Sequence, residues 1–293
     1  MKNGFSVFLA AFVALGLSWC GFVLGPAKQL GTATQAAVLN SSDTYPLQRT
    51  GDATLGLQVY RANGCAACHT EQVRQDGVAR ELVLTDAGKN TARVVRAIQS
   101  FVPYPEANSS QKQVFGGIEQ YDLTKLPQTI LKNLTKDQAD AIADQITAAG
   151  GKSETQIVSV GVDIKRGWGI RRSVAADYLC DCPVQLGSLR AGPDLANVGA
   201  RFPDLNWELV HLYAPQTLVK NSAMPPCRFL FEVRKIADAP SPDALKFPQG
   251  FAPSAGFEVV PTAEAKQLAA YLLSLKADAP LYEAPFTPVM TKP

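Results

Sequence analysis

The first hydrophobic feature of the chain is an uninterrupted apolar run near its start. From Gly4 to Gly25, 22 consecutive residues carry no charge. A helix of that length extends roughly 33 Å, enough to cross the apolar core of a bilayer. A cleaved signal peptide is the alternative, but its apolar region is usually only about 7–15 residues long and ends in a small-x-small site. We therefore predict a retained transmembrane anchor over residues 1–27.

Beyond the anchor, helical periodicity disappears and then returns at two distant places. Residues 28–50 are rich in Ala, Thr, Ser and Gln without an apolar period, so we expect a linker. The pattern from Ala53 to Ala62 predicts a short helix that ends near Gly64. Thr262 is a suitable N-cap for a second amphipathic helix near the end of the chain. Residues 280–293 are expected to form a C-terminal tail.

Residues 81–163, between these helices, alternate between strand and helix patterns. The predicted elements are Glu81–Thr85, Thr91–Phe101, Gln128–Leu131, the stretch from Thr135 to Ala149, and Glu154–Val160. Thr135 and Gln138 have the spacing of a capping box, in which each side chain satisfies a free backbone amide. The order β-α-(α)-β-α-β predicts a small, separate α/β domain.

Composition and charge only weakly restrict the number of domains and the class of binding partner. A chain of 293 residues with 46% hydrophobic residues can bury one large core or two moderate ones. Lys and Arg number 28 and Asp and Glu number 26, which gives a net charge of +2. This balance offers no argument for nucleic acid as a partner.

The motif that carries chemistry is Cys65-Ala66-Ala67-Cys68-His69. Two cysteines three apart, followed by a histidine, are the attachment signal of a c-type haem. The thiols add to the two vinyl groups and the imidazole reaches the iron. We predict one covalent haem c with His69 as an iron ligand. Because c-type haem is attached outside the bacterial cytoplasm, we expect a single-pass protein of the inner membrane with its haem domain on the periplasmic side.

Met224 is the predicted second axial ligand of the iron. It lies in the Pro-bounded segment Ser222–Pro226, and a thioether is a soft ligand that raises the reduction potential. The other methionines, Met1 and Met290, are near the chain ends. His211 is the competing ligand, since bis-histidine haem is common. Its apolar helical setting is more typical of a histidine that bonds to backbone or to a haem propionate.

Several of these features resemble small class I cytochromes c. Such proteins pack their first and last helices crosswise with a glycine at the crossing, and a Gly-Pro carbonyl accepts the Nδ1 proton of the haem histidine. The resemblance implies this role for the carbonyl of Pro193. It also implies a contact of Gly56 and Tyr60 with the last helix, although two unrelated amphipathic helices remain the alternative. The residues of the last helix expected in this contact are Leu268, Tyr271 and Leu272.

Guanidinium groups bind carboxylates in a bidentate manner, so arginines near the motifs could pair with the haem propionates. A solvated basic surface is the alternative explanation for these residues. The candidates are Arg171, Arg172 and Arg190.

The segment from Gly167 to Phe231, together with the block that runs from Cys65 to Arg74, resembles the membrane-anchored monohaem subunit II of cbb(3)-type cytochrome c oxidases. That family has Arg-x-Gly-Pro-Asp-Leu and Ser-x-Met-Pro segments and a single N-terminal anchor. Taken over the anchor and the whole cytochrome part, the resemblance covers about two hundred residues. It implies an electron-transfer subunit that is not itself the oxygen-reducing centre. Its implied partners are a haem-copper catalytic subunit, other cytochrome subunits, and a donor cytochrome or quinol-oxidising complex.

The inserted stretch resembles the C-terminal domain of the ribosomal stalk protein. The likeness rests on Leu82–Lys89, Val94–Ile98 and Leu134–Glu154. It fails over Val102–Lys125, where that family has its factor-binding helix, so only a shared fold and a docking or spacer role are implied. The expected fold is thus a mainly α, class I-like cytochrome c domain in two parts, 51–80 and 164–279, with one transmembrane helix and an inserted βααβαβ-like α/β domain at 81–163.

Three further cysteines depart from the oxidase pattern. Cys227 stands three residues after Met224, where the family usually has an aromatic residue, and Cys180 and Cys182 lie upstream. Surplus thiols in an oxidising compartment tend to pair. We therefore expect a disulfide from Cys227 to Cys180 or Cys182.

Two other functions stay open at this point. The chain could be a free-standing, membrane-tethered cytochrome c that serves another reductase or dehydrogenase. It could also be an adaptor whose inserted domain docks a partner while the haem is mainly structural.

Overall fold

The computed structural model describes residues 3–100 and 125–285. Its contacts divide the chain into two compact units. The first contains Met1–Glu71 and Ser173–Tyr282, and the second contains Gln72–Arg172 and Glu283–Pro293. The chain therefore leaves the first unit shortly after the Cys65–His69 motif and later returns to it. The second unit takes more residues at both of its ends than the expected insertion at 81–163.

The helices are mostly short. The α-helices are Gly4–Trp19 (α1), Gly25–Gly31 (α2), Asp52–Ala62 (α3), Thr91–Ser100 (α4), Lys136–Ala148 (α5), Val162–Lys165 (α6), Val198–Arg201 (α7), Leu205–Tyr213 (α8), Pro215–Leu218 (α9) and Ala263–Ser274 (α10). A π-helical turn spans Cys20–Leu24, and 3-10 turns span Cys65–Ala67, Ala175–Tyr178 and Arg228–Leu230.

Within residues 3–100 and 125–285, the strands form three small antiparallel sheets. They are Ala36–Ala37 (β1), Thr44–Tyr45 (β2), Gly77–Asp86 (β3), Gln128–Leu134 (β4), Lys152–Val160 (β5), Phe231–Lys235 (β6) and Phe257–Pro261 (β7). β1 pairs with β2, β6 pairs with β7, and β3 is the central strand between β4 and β5.

The N-terminal apolar run is one long helix. It spans Gly4–Gln29, 26 residues with a mean hydropathy of 2.3, and includes α1, the π-helical turn and most of α2. None of its residues in α1 is buried. Among the described residues it is the one helix long and apolar enough to cross a membrane.

The segment 28–50 is folded rather than a free linker. Its strands β1 and β2 pair with each other, and the Leu39 amide donates a hydrogen bond of 2.9 Å to the Pro280 carbonyl. Val38 forms a β-bridge with Leu281, whose side chain is 1% exposed. The expectation of a free tether is therefore wrong for this segment, and within the expected 280–293 tail Leu281 and Ala284 are buried whereas Tyr282 is exposed. Composition alone could not show this pairing, because it joins segments more than two hundred residues apart.

The core of the first unit is built around the contact of α3 with α10. A Cβ on Gly56 would collide with the carbonyl of Gln267, so only glycine allows this close approach. The rings of Tyr60 and Tyr271 pack with their centroids 5.1 Å apart. Thr262 caps α10 by accepting a hydrogen bond from the Ala265 amide. The predicted contact between the two helices is confirmed.

The second unit packs α4 and α5 with a three-stranded sheet. Thr135 and Gln138 form the predicted capping box at the start of α5. Gly88 has a φ of +63° and lies against the Gly150 carbonyl, where a side chain would clash. The strand and helix order agrees with the prediction over the described residues, whereas the extra helix of the βααβαβ pattern would fall in 101–124, outside them. The buried core is Leu82, Leu84, Ala87, Val94, Ile98, Ile130, Leu131, Leu134, Ala139, Ile142 and Ile146.

Candidate haem-binding site

The Cys65–His69 motif follows directly from the end of α3. Gly64 adopts a left-handed φ of +64°, which lets the chain turn out of the helix. The next residues form a 3-10 turn, in which the amides of Cys68 and His69 donate to the Cys65 carbonyl at 3.1 and 3.0 Å. Cys65 is half-buried and Cys68 is exposed. The local backbone therefore holds the two thiols and the imidazole on one compact turn.

The ring of His69 is oriented by the segment around Pro193. Its Nδ1 lies 2.8 Å from the Pro193 carbonyl oxygen. Because a carbonyl can only accept, Nδ1 carries the proton and Nε2 is the nitrogen left for a metal. A Cβ on Gly192 would overlap the imidazole, so glycine is required beside the ring. The structure thus brings His69 and Pro193 together as the sequence predicted.

Met224 lies in the first unit, as the motif does. It is half-buried, and its amide donates to the Ser222 hydroxyl at 3.3 Å. Met224 and Cys65 both pack against the core cluster that contains Tyr60 and Leu212. This arrangement places the thioether of Met224 and the thiol of Cys65 on one apolar core. Iron ligation by Met224 stays a prediction.

His211 lies on α8 within an aromatic stack. Its ring is 4.9 Å from that of Trp207 at an interplanar angle of 6°, and Trp207 stacks on Phe202 at 3.9 Å. Burial, with a smaller contribution from His69, lowers the pKa of His211 to about 4, so the ring is neutral at physiological pH. Among the described residues, its buried Nδ1 has no hydrogen-bond partner. Of the two expected partners of this histidine, backbone and a haem propionate, backbone does not satisfy Nδ1, and the propionate stays a prediction.

The three candidate arginines are divided between the two units. Arg190 is in the first unit, with its Nη2 3.5 Å from a carboxylate oxygen of Asp194. Arg171 and Arg172 belong to the second unit, where Arg171 is 1% exposed and donates to the Arg172 carbonyl at 3.0 Å. Arg172 in turn donates to the Glu283 carbonyl at 2.8 Å. Burial of Arg171 excludes a solvated surface as the explanation for that residue.

The expected disulfide is absent. All six cysteines, which all fall in the described residues, are free thiols, and Cys180 and Cys182 are exposed. Cys227 is half-buried, because its amide donates to the Leu212 carbonyl at 2.8 Å and holds it against α8. Burial, followed by the charge of Cys227, raises the pKa of Cys65 to about 11. The disulfide from Cys227 to Cys180 or Cys182 is therefore a wrong prediction. Cys227 instead packs against the same core as Cys65.

Sequence reasoning missed a buried polar cluster next to the motif. Glu71 is 3% exposed and accepts hydrogen bonds from the Tyr271 hydroxyl at 2.9 and 3.0 Å. Arg49 pairs with Asp181, donates to the Ser274 hydroxyl at 3.1 Å, and lies over the Tyr271 ring. The one available signal was Glu71 itself, a carboxylate two residues after the haem histidine. Arg49 gave no signal, because it lies in the segment that we expected to be a linker.

The residues of the first unit fit a covalent c-type haem. Two thiols and a pre-oriented imidazole occupy one turn, with a thioether on the same core. The buried, unsatisfied Nδ1 of His211 is the kind of atom that a bound polar group completes. This chemistry agrees with the attachment signal in the sequence.

Comparison with known proteins gave one family. Residues 153–246 match the family model described as cytochrome C oxidase, mono-heme subunit/FixO. The match covers about a third of the chain. It begins in β5 and includes Pro193, His211 and Met224, but not the Cys65–His69 motif. A search of curated proteins found no match. The likeness of the second unit to the ribosomal stalk domain is not supported, whereas the family match supports a mono-haem subunit of a cytochrome c oxidase.

Proposed function

We propose that this chain is the membrane-anchored mono-haem cytochrome c subunit of a cbb(3)-type haem-copper oxidase, and that it passes electrons toward the oxygen-reducing subunit. The observation that carries the proposal is the 2.8 Å hydrogen bond from His69 Nδ1 to the Pro193 carbonyl. It joins the haem motif, which lies outside the segment matched to the oxidase family, to a residue inside that segment. The two halves of the site therefore support one function.

Each residue of the site has a definite role in this proposal. Cys65 and Cys68 would hold the haem through thioether bonds, and His69 Nε2 and the Met224 sulfur would be the ligands of its iron. When bound, the haem supplies a one-electron redox couple. With His69 and Met224 both serving as ligands, the chain would transfer electrons without itself being the oxygen-reducing subunit.

We propose that the haem propionates are received within the first unit. Arg190 supplies a guanidinium there, and the buried Nδ1 of His211 is a donor or acceptor that a propionate would complete. Arg171 and Arg172 are weaker candidates, because each donates a hydrogen bond to a carbonyl of the second unit.

The same proposal extends to the arrangement and location of the protein. The first unit would be a class I-like cytochrome c domain, divided by the α/β unit, which would act as a docking or spacer module. The helix Gly4–Gln29 would anchor the chain in a bacterial inner membrane, with the haem on the periplasmic side. Its partners would be the haem-copper subunit, other cytochrome subunits, and a donor cytochrome or quinol-oxidising complex.

Purification of the tagged full chain from the membranes of a host that attaches c-type haem tests this function. We expect covalent haem on this chain in a denaturing gel, together with co-purification of a haem-copper subunit. Haem without oxidase subunits would instead indicate a free-standing electron carrier. A chain without covalent haem would contradict both forms of the proposal.

The compact core of the second unit favours a separate test of the adaptor function. The two ends of residues 77–160 within this unit lie side by side. The Asp76 amide donates to the Val160 carbonyl at 2.9 Å, and the Val162 amide donates to the Asp76 carboxylate at 3.1 Å. Residues 77–160 can therefore be deleted by joining Asp76 to Gly161. Loss of oxidase subunits with intact haem reduction would assign docking to this unit, and unchanged assembly would exclude it.

A further inference from the structure

The segment that contains Pro193 is tied to the haem motif on both of its sides. The Gly192 amide donates to the Cys68 carbonyl at 3.0 Å, and the Leu195 amide donates to the Thr70 carbonyl at 2.7 Å. Proline has no amide hydrogen, so Pro193 cannot make a backbone bond of this kind itself. The position of its carbonyl, which accepts from His69, is therefore set by its neighbours.

Among the chain neighbours of Pro193, Asp194 has the strongest side-chain contacts. It is fully buried, with 0% exposure, and one carboxylate oxygen accepts from the Thr70 hydroxyl at 2.6 Å. Arg190 Nη2 lies 3.5 Å from that same oxygen, and the other carboxylate oxygen accepts from the Ala196 amide at 2.9 Å. Thr70 is itself 4% exposed. A buried carboxylate is costly unless it is hydrogen-bonded, and hydrogen bonds to a charged acceptor are among the strong ones.

The Thr70–Asp194 hydrogen bond lies one residue along the chain, on both sides, from the His69–Pro193 hydrogen bond. Thr70 follows His69, and Asp194 follows Pro193. The Thr70–Asp194 hydrogen bond thus runs beside the His69–Pro193 hydrogen bond and holds the same two backbone segments together. A change in the Thr70–Asp194 bond therefore changes the distance and angle of the His69–Pro193 bond.

We propose that Thr70 and Asp194 are positioning residues for the iron ligand His69, and that their buried hydrogen bond keeps the Pro193 carbonyl aligned with Nδ1. The inference rests on the proposed function, because the iron belongs to the haem. A well-aligned acceptor at Nδ1 raises the basicity of a histidine ligand. A more basic ligand stabilises the ferric state, and hydrogen bonding around a haem is one of the factors that set its potential. The Thr70–Asp194 hydrogen bond, which we call the clamp, therefore keeps the reduction potential of the haem lower than it would be without this bond.

The first test measures the reduction potential of the haem-loaded full chain in detergent. Thr70→Val removes the hydroxyl at nearly constant volume, and Asp194→Asn removes the charge. We expect both to raise the potential, whereas Thr70→Ser, which keeps a hydroxyl, restores the wild-type value. Thr262→Val is the control, because Thr262 caps α10 and bonds the Leu230 carbonyl without touching either segment. It should lower the melting temperature and leave the potential unchanged.

The second test does not need haem. The chain has only two histidines, so ¹⁵N-histidine labelling of the full chain in detergent resolves His69 from His211. We expect the Nδ1 proton of His69 to exchange with solvent several-fold faster in Thr70→Val and Asp194→Asn than in the wild type and in Thr262→Val. Unchanged exchange in both variants would overturn the positioning role, and so would unchanged potentials. A wild-type chain that takes up no haem would instead refute the proposed function, and the exchange rates would still decide the clamp.

Discussion

At the scale of single residues, the site depends on side chains that the fold brings together from distant parts of the sequence. His69 and Pro193 could be paired from the sequence, because both stand in recognisable motifs. Arg49 and Asp181 could not, because an isolated arginine and an isolated aspartate carry no pattern that points to each other. The pairing of Cys227 was predicted wrongly, since its position is set by a backbone bond to Leu212 that the spacing of cysteines does not reveal.

Substitution of Met224 tests directly whether its sulfur is a ligand of the haem iron. Met224→Leu should remove the near-infrared band of methionine-ligated ferric haem, lower the reduction potential, and allow the reduced protein to bind carbon monoxide, because one axial position becomes open. Phe247→Leu is a matched control, since Phe247 packs against the same core and carries no ligand atom.

A six-coordinate spectrum that survives in Met224→Leu would contradict this assignment. In that event His211 would be the remaining candidate, and the double variant Met224→Leu with His211→Gln would lose the sixth ligand. Absorption spectra of the oxidised and reduced proteins are sufficient to separate the two cases.

A second residue-scale prediction concerns Glu208 on α8. Its side chain is 2% exposed, and burial raises its pKa to about 8 from an ordinary 4.5, although Arg201 acts in the opposite direction. The folded state therefore holds this proton more tightly than the unfolded state. The stability that comes from proton binding is full below about pH 4.5 and is lost as the pH rises through about 8.

Glu208→Gln should remove this contribution, so its free energy of unfolding should fall less than that of the wild type between pH 5 and pH 8. Denaturant unfolding at several pH values measures the effect. Glu232→Gln, at an exposed position of β6, is the control and should follow the wild type. Parallel pH profiles for Glu208→Gln and the wild type would contradict the pKa assignment.

At the scale of elements, local signals predicted most of the regular structure. The capping box at Thr135 and Gln138 and the cap at Thr262 gave the starts of α5 and α10. Strand β3 begins earlier than expected, because its pairing with β5 extends to Gly77 opposite Val160. Pairing of this kind depends on the partner strand, so hydrophobic alternation within one segment underestimates its length. The same reason explains why β1 and β2 were not predicted.

The crossing of α3 and α10 gives the clearest prediction at this scale. Gly56→Ala should lower the free energy of unfolding by about 2–3 kcal/mol, since the added methyl meets the Gln267 carbonyl and the helices must separate. This loss should exceed the gain of up to about 1 kcal/mol from the helix propensity of alanine. Gln58→Ala, at an exposed position of the same helix, should change the stability by less than about 0.5 kcal/mol. Equal stability of the two variants in denaturant unfolding would contradict the close crossing.

At the scale of the whole molecule, the sequence indicated a long N-terminal helix, a divided site and an α/β segment between its parts. The structure contains the long helix and the α/β segment, and it draws the boundary of the units after Glu71 and after Arg172. Arg171 and Arg172 were considered as haem residues because they stand near the oxidase-like motifs in the sequence. Both belong to the second unit, and a contact of either arginine with a haem stays a prediction.

The central claim, a haem held covalently by Cys65 and Cys68, is tested most directly by the mass of one peptide. Trypsin cleaves after Arg61 and Arg74, so residues 62–74 contain the whole motif. In protein purified from a host that attaches c-type haem, we predict that this peptide carries the mass of one haem and that neither cysteine takes an alkylating reagent. A peptide of unmodified mass, with both thiols alkylated, would contradict the account.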